Sequence, residues 1–460
     1  MCIRLPTISY SERCMRVKHK IPCPRTATQC LLRFFSQEAP RTFTAVNIAR
    51  KNNLTIAAQG GGGGYRNWRA AADGITVDLS SMRGVIVDPK QKLAIVQGGA
   101  LGGDLLHEAA VWGLGASWGD ANVTGMGLAL GGGIGLSMRA HGLVCDSILG
   151  VQLVLANGSV VAVSDAAHPE LMRAIRGAGT VFGIITELTF RLFNGIDSVY
   201  AGNLMLPDDN QHSTFRFAMN WTVHALEAAP GLGIETWLLP SPAPPLGGLT
   251  WVTANYFGPE TLEQKAEIFA PLRAIGPVQD ALGPPQTFVG VNEFVGAFVS
   301  SPAVKGAKSF FLNALMSKDQ VVNGGVDVML AAYDTAVAGL GGAPVVILTD
   351  WFGPAIENTP SMTPFKGAYM HFFISFQAPA APTQGLELLS QLAGMLEGHV
   401  ESVFPYANLA TDPNSSDHLA TALGGMANLE RVRLLKGQID PGNLFKNHQF
   451  QGLLPLFPQI

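Results

Sequence analysis

The chain has 460 residues, of which 47% are hydrophobic and 14% charged, and its net charge is −4. That balance supplies more than one buried core and argues against a disordered chain or a nucleic-acid partner. No apolar run reaches the roughly 18 residues that a membrane span requires, so no membrane partner is expected either.

Residues 1–35 carry seven Lys or Arg against one acid, Glu12, together with Cys2, Cys14, Cys23 and Cys30. The cysteine spacing fits no zinc motif, and His19 alone does not complete one. The segment lacks the apolar stretch of a secretory leader. It reads as a poorly ordered basic extension, and a cytoplasmic location is the expectation. Residues 30–40 lack a clear apolar strand ahead of the first helix.

Globular patterning begins near residue 41. Residues 43–52 read as a helix and 54–58 as a strand, followed by the run Gly60-Gly61-Gly62-Gly63-Gly64-Tyr65. Glycine tolerates positive φ and lets backbone approach a ligand, so this run suits a phosphate or cofactor cradle; a flexible loop is the plainer alternative. Strands are expected at 75–79, 84–88 and 92–97, and a helix at 103–112. A second glycine-rich stretch, Gly125 to Gly135, contains neither a G-x-G-x-x-G fingerprint nor a Walker lysine. Two cradles some sixty residues apart suit one extended ligand with a diphosphate in its middle. Gly115-Ala116-Ser117-Trp118-Gly119 matches the nucleophile elbow of serine hydrolases. A helix precedes it and a glycine-rich loop follows, which is the wrong context.

Residues 151–161 read as a hairpin turning at Asn157-Gly158, 169–176 as a helix and 182–190 as a strand leaving the first lobe. Beyond 193 the texture changes. Strands are expected at 247–256, 309–315, 343–351 and 368–376, with helices at 262–275, 321–338 and 385–396. The last helix ends at Asp440-Pro441-Gly442-Asn443. Trp112 and Trp118 read as packing residues.

Five ordered motifs carry a specific resemblance: Ile75 to Gly84, Val96 to Asp104, Leu130 to Gly135 with Arg139 to Asp146, Ala174 to Thr186, and Ile439 to Phe445. On these the chain resembles the vanillyl-alcohol oxidase/berberine bridge enzyme-like family of FAD-linked oxidoreductases. The resemblance implies an α+β fold with a two-lobe FAD-binding PCMH-type domain (residues 36–192). A substrate domain with an antiparallel sheet covered by helices follows (193–428), and the segment 429–460 returns to the flavin side. It implies FAD contacts at Gly60, Gly61, Gly62, Gly63, Gly64, Tyr65, Thr124, Gly127, Leu128, Gly131, Gly132, Gly133, Ile134, Ile185 and His448.

The departures from the family pattern bear on the chemistry. The histidine that tethers the flavin ring in relatives is Gly63 here, and the position of a second, cysteine tether is Asp120. The family's carboxyl-terminal tyrosine is Gly424, and a usual asparagine is His448. FAD is therefore expected to bind non-covalently, through backbone hydrogen bonds and burial. Tyr65 matches a tyrosine that assists proton removal in some relatives, with ring packing as the alternative. Tyr369 and His371 share one strand face by period-two spacing, directed at the flavin ring or into the covering helices. Glu357 is a weaker candidate base. The sparse charge of 193–428 favours an apolar or aromatic substrate over a sugar. The expected reaction is hydride transfer from a small secondary-metabolite-like molecule to flavin N5, with oxygen as electron acceptor. The alternative is a non-redox cyclase or isomerase with structural or absent flavin, or an inactive homologue.

Overall fold

The computed structural model describes residues 32–35, 39–61, 74–240, 248–284, 286–300, 309–341, 343–352, 360–365, 367–377, 382–404 and 416–446. Gly62, Gly63, Gly64, Tyr65, Glu357 and His448 lie outside this set. The fold is α+β: among the described residues a three-stranded, a five-stranded and a two-stranded sheet build the expected flavin lobes, and one eight-stranded sheet lies beyond them.

The first lobe is a parallel sheet of β1 (Leu32–Phe35), β2 (Thr55–Gln59) and β3 (Gly74–Asp78), ordered β1-β3-β2. The helix Ala39–Lys51 connects β1 to β2. It buries Ala45, Val46 and Ala49, spaced three to four apart, against Ile56, Ile75 and Val77. This corrects the expectation that residues 1–35 form only an extension and that no strand precedes the first helix. Leu32-Arg33-Phe34-Phe35 is too short a run to stand out within a basic segment, and its register with Ile75–Asp78 supplies what local pattern does not.

The second lobe is antiparallel. β4 (Val85–Asp88), β5 (Leu93–Gln97), β7 (Ile148–Val154), β8 (Val160–Ser164) and β9 (Ile184–Arg191) are ordered β4-β5-β9-β7-β8. The short strands β6 (Leu114–Gly115) and β10 (Phe193–Asn194) pair beside it. The hairpin falls where expected, with Val154 opposite Val160 and Gly158 at φ +86°. Trp118 is buried, but Trp112 is 55% exposed and packs no core.

The large sheet is antiparallel throughout. It contains β11 (Tyr200–Asp208), β12 (Leu232–Pro240), β13 (Gly248–Tyr256), β14 (Gln279–Leu282), β15 (Ser309–Met316), β16 (Val345–Trp351), β17 (Met370–Gln377) and β18 (Ser402–Phe404). Their order is β14-β11-β13-β12-β16-β17-β15-β18. One face carries Leu204, Ile234, Leu238, Val252, Ala254, Phe372 and Ile374. These pack under the helices Ser213–Ala228, Val326–Gly339 and Pro382–Leu396 through residues such as Phe215, Met329 and Leu392. The expected helix 262–275 is two pieces, Leu262–Ile268 and Ala270–Arg273, because Pro271 cannot continue the first.

The segment from Met426 to Phe445 is locked to the flavin side by one buried ion pair. Lys436, on the helix Met426–Ile439, donates to Asp440 Oδ2 (2.7 Å), Val181 O and Phe445 O. Asp440 accepts from the backbone N–H groups of Leu444 and Phe445, and Ile56 N donates to Leu444 O. Among the described residues, no helix is long and apolar enough to cross a membrane.

Candidate functional site

The face of the large sheet opposite its helices meets the flavin lobe. Gly233 marks the contact: a Cβ there would lie 1.6 Å from the carbonyl oxygen of Leu136. Only a residue without a side chain lets these backbones close. Alternation along the strands then places Glu235 and Trp237 on this same face.

Register across the sheet produces two rows on that face. Asn203, Thr253, Glu235, Asp350 and His371 stand abreast on β11, β13, β12, β16 and β17. Two residues along, Met205, Trp251, Trp237, Leu348 and Phe373 form an apolar and aromatic row. Trp237 and Trp251 stack at 5.3 Å, and Phe298 of the helix Phe288–Val299 meets both edge-on.

The polar row is joined from the flavin side by Asp120. Its Oδ1 accepts from Leu136 N (3.0 Å), and its carboxylate lies with those of Glu235 and Asp350 in a group whose oxygens are all within 4.8 Å of one another. Burial pushes the Asp120 carboxyl up to about 6, opposed by its hydrogen bond with Glu235. Burial, then the charges of Asp120 and Asp350, raise Glu235 well above the usual carboxylate range. Glu235 thus holds a proton between two acids that cannot all ionise together. Trp237 Nε1 donates to Glu235 Oε2 (3.3 Å). His371, fully buried, bonds Asp350 Oδ2 through Nδ1 (2.8 Å) and Asn313 Oδ1 through Nε2 (3.3 Å).

Tyr369 does not share this face. Strand pairing of β17 begins at Met370, and Tyr369, one residue before it, turns into the helix-side cluster against Trp351. Burial raises its phenol, and the charges acting on it are Lys318, Glu227 and Arg139 rather than the acid cluster. Its hydroxyl has no hydrogen-bond partner among the described residues. The expected pairing of Tyr369 with His371 is therefore corrected: period-two spacing fails where the strand ends.

The glycine cradles divide in the structure. Gly60 and Gly61 follow β2, and Gly61 lies against Gly125 so closely that a Cβ at Gly125 would sit 2.6 Å from Gly61 N. Gly127 is exposed, with open space where a side chain would be, and Thr124 and Leu128 are partly buried beside it. The Thr124 hydroxyl is used internally, accepting from Trp118 Nε1 and donating to Ala121 O. Gly131, Gly132, Gly133, Ile134 and Ile185 lie inside the lobe, where Gly132 and Gly133 adopt φ of +111° and +78°. Ser117, in the hydrolase-like motif, is buried and donates to Gly142 O. The bare, exposed backbone at Gly127, with no atom where a side chain would stand, fits the approach of a diphosphate-containing cofactor.

Residues 42–164 match the family described as an FAD binding domain. An FAD-linked oxidoreductase of Dictyostelium discoideum is 39% identical over 164 residues, 35% of this chain and 36% of that one. This chain carries an FAD binding domain over residues 42–164. Its cofactor is FAD. The most similar curated relatives are matched over about a third of their length, on the flavin side. The fold extends further. 6-hydroxy-D-nicotine oxidase from Arthrobacter nicotinovorans superposes with a TM-score of 0.78 over 93% of both chains at 24% identity. A variant of the Physcomitrella patens BBE-like 1 protein does so with 0.74 over 93% of this chain and 92% of that one, at 20% identity. The two-unit α+β fold expected from the motifs is upheld.

Sequence reasoning missed Glu235 and Asp350, and met Asp120 only as a replaced tether. Their signal was available: each sheet acid stands alone in an apolar strand, Leu232–Pro240 and Val345–Trp351, where a lone charge is costly unless it is used.

Proposed function

We propose that this FAD-linked oxidoreductase oxidises a small, largely apolar organic substrate, holds its FAD without a covalent bond, and passes electrons to molecular oxygen. The supporting observation is the row Glu235–Asp350–His371, joined by Asp120, on the sheet face that meets the flavin lobe. When bound, FAD supplies a hydride acceptor at N5. The chain's own residues supply the rest. The aromatic row Trp251–Trp237–Phe373 excludes water and packs the substrate's body. The Asp120 carboxylate and the Asp350–His371 pair offer an acceptor for the proton that leaves as the substrate is oxidised. Gly63 in place of the tethering histidine is the basis for reversible FAD binding. On this reading residues 193–428 bind substrate.

Anaerobic addition of small aromatic alcohols and amines to FAD-loaded protein tests the reading. Bleaching of the flavin absorbance by a member of the panel, reversed by air, is the expected result. Substrate conversion with unchanged flavin colour would instead support a non-redox isomerase or cyclase, which the lost tether also permits.

A further inference from the structure

Burying three carboxyl groups together with one histidine is costly unless something is gained. Asp120, Glu235 and Asp350 hold their oxygens within 4.8 Å of one another, and His371 is committed to Asp350 and Asn313. A second observation points to a ligand. Asn255, fully buried beside Gly233 on the same sheet face, has neither amide atom paired among the described residues. Asn313 Nδ2, on the same face beside His371, is unpaired among the described residues as well. Buried polar atoms left in this state mark where a polar group is to be received.

We propose that this row seats an organic cation: the substrate carries a protonated amine that lies among Asp120, Glu235 and Asp350, with its hydrocarbon body along Trp237 and Trp251. This deepens, and rests on, the reading of the face as the substrate side of an FAD-dependent oxidoreductase. A single positive charge suits the cluster. Glu235 keeps a proton and His371 lies against Asp350, so a divalent ion, which takes several charged oxygens, would have to displace that proton. The stacked indoles next to the acids add cation–π attraction and apolar contact, which a bare metal ion does not use. The groups facing Asp120 are Glu235 and Asp350 on the sheet, with His371 behind Asp350. Ionisation of Asp120 near pH 6 therefore adds the charge that draws the amine.

Trp237, hydrogen-bonded to Glu235, reports occupancy by its fluorescence. The full-length protein is titrated with benzylamine, phenethylamine and 3-phenylpropylamine and with the three alcohols of the same skeletons. The expected result is that at least one amine binds tenfold or more tightly than its alcohol at pH 7.5, and that this preference fades below pH 6. The isosteric variants Asp120→Asn and Glu235→Gln, checked for unchanged circular dichroism, should each cut the preference at least threefold. Equal binding of amines and alcohols, binding by none of the six, or a preference that a chelator abolishes would overturn the proposal. Fluorescence needs no turnover. A protein that prefers amines yet never reduces FAD sinks only the oxidase reading; one whose flavin is reduced by an alcohol, with no amine preference, sinks only the amine.

Discussion

Asp120 on the flavin side and Glu235 on the large sheet bring carboxyl oxygens within 4.8 Å of one another, and burial raises the pKa of both. The consequences for stability and for substrate follow from that contact.

The first consequence is a pH dependence. The Asp120 carboxyl titrates at about 6 in the fold against 3.8 ordinarily. Between these values the folded state holds a proton that the unfolded state has lost, so stability falls as pH rises through 6. Asp120→Asn removes the ionisation and keeps an oxygen for Leu136 N. It should stabilise the FAD-free protein by about 3 kcal/mol at pH 8 and by little at pH 4. Urea unfolding at the two pH values checks this; a variant equally affected at both would show that Asp120 does not titrate late.

His371 and Asp350 form a pair with side chains 0% and 5% exposed. His371→Ala leaves a buried carboxylate without its partner and should cost about 3–5 kcal/mol. The milder His371→Gln should lower kcat on the order of 10²-fold while the protein stays folded, as expected when the imidazole that orients the proton-accepting Asp350 carboxylate is lost. A steady-state comparison showing unchanged kcat would remove His371 from the chemistry.

Gly127 and Gly233 separate the two uses of glycine. Gly127→Ala meets no protein atom within 4 Å and should leave the FAD-free protein within about 1 kcal/mol of wild type, while weakening FAD binding. Gly233→Ala drives a methyl into Leu136 O and should destabilise by about 1–3 kcal/mol or more. Thermal melts with and without added FAD distinguish the pair.

Much of the flavin side was legible because its signals are local. Glycine runs, the Asn157-Gly158 turn and the Asp440-Pro441-Gly442 stop act over a few residues, and Asp440 does close the last helix by accepting from Leu444 and Phe445. The large sheet was only half legible. Tyr200–Asp208 and Leu232–Pro240 are buried on both faces, so they lack the polar alternation that announces a strand. The acid cluster was illegible as a unit, since Asp120, Glu235 and Asp350 are brought together only by strand register and by the closure of Gly233 on Leu136. Tyr369 was misplaced because a pattern two residues long cannot show where a strand begins.

The Lys436–Asp440 pair should anchor the segment Met426–Phe445 to the flavin lobe. Asp440→Ala strands a buried ammonium and the N–H groups of Leu444 and Phe445, at about 3–5 kcal/mol. Lys436→Met combined with Asp440→Asn should cost less than the two changes summed, since each single variant leaves a charge unpaired. A double-mutant cycle by chemical denaturation measures the coupling, and strict additivity would refute it.

The decisive measurement is the flavin spectrum of protein incubated with FAD, freed of excess by gel filtration and then precipitated with acid. Reversible binding by the glycine trough predicts flavin absorbance on the native protein and its complete release into the acid supernatant. A protein that emerges colourless, or a pellet that retains the flavin, would contradict it.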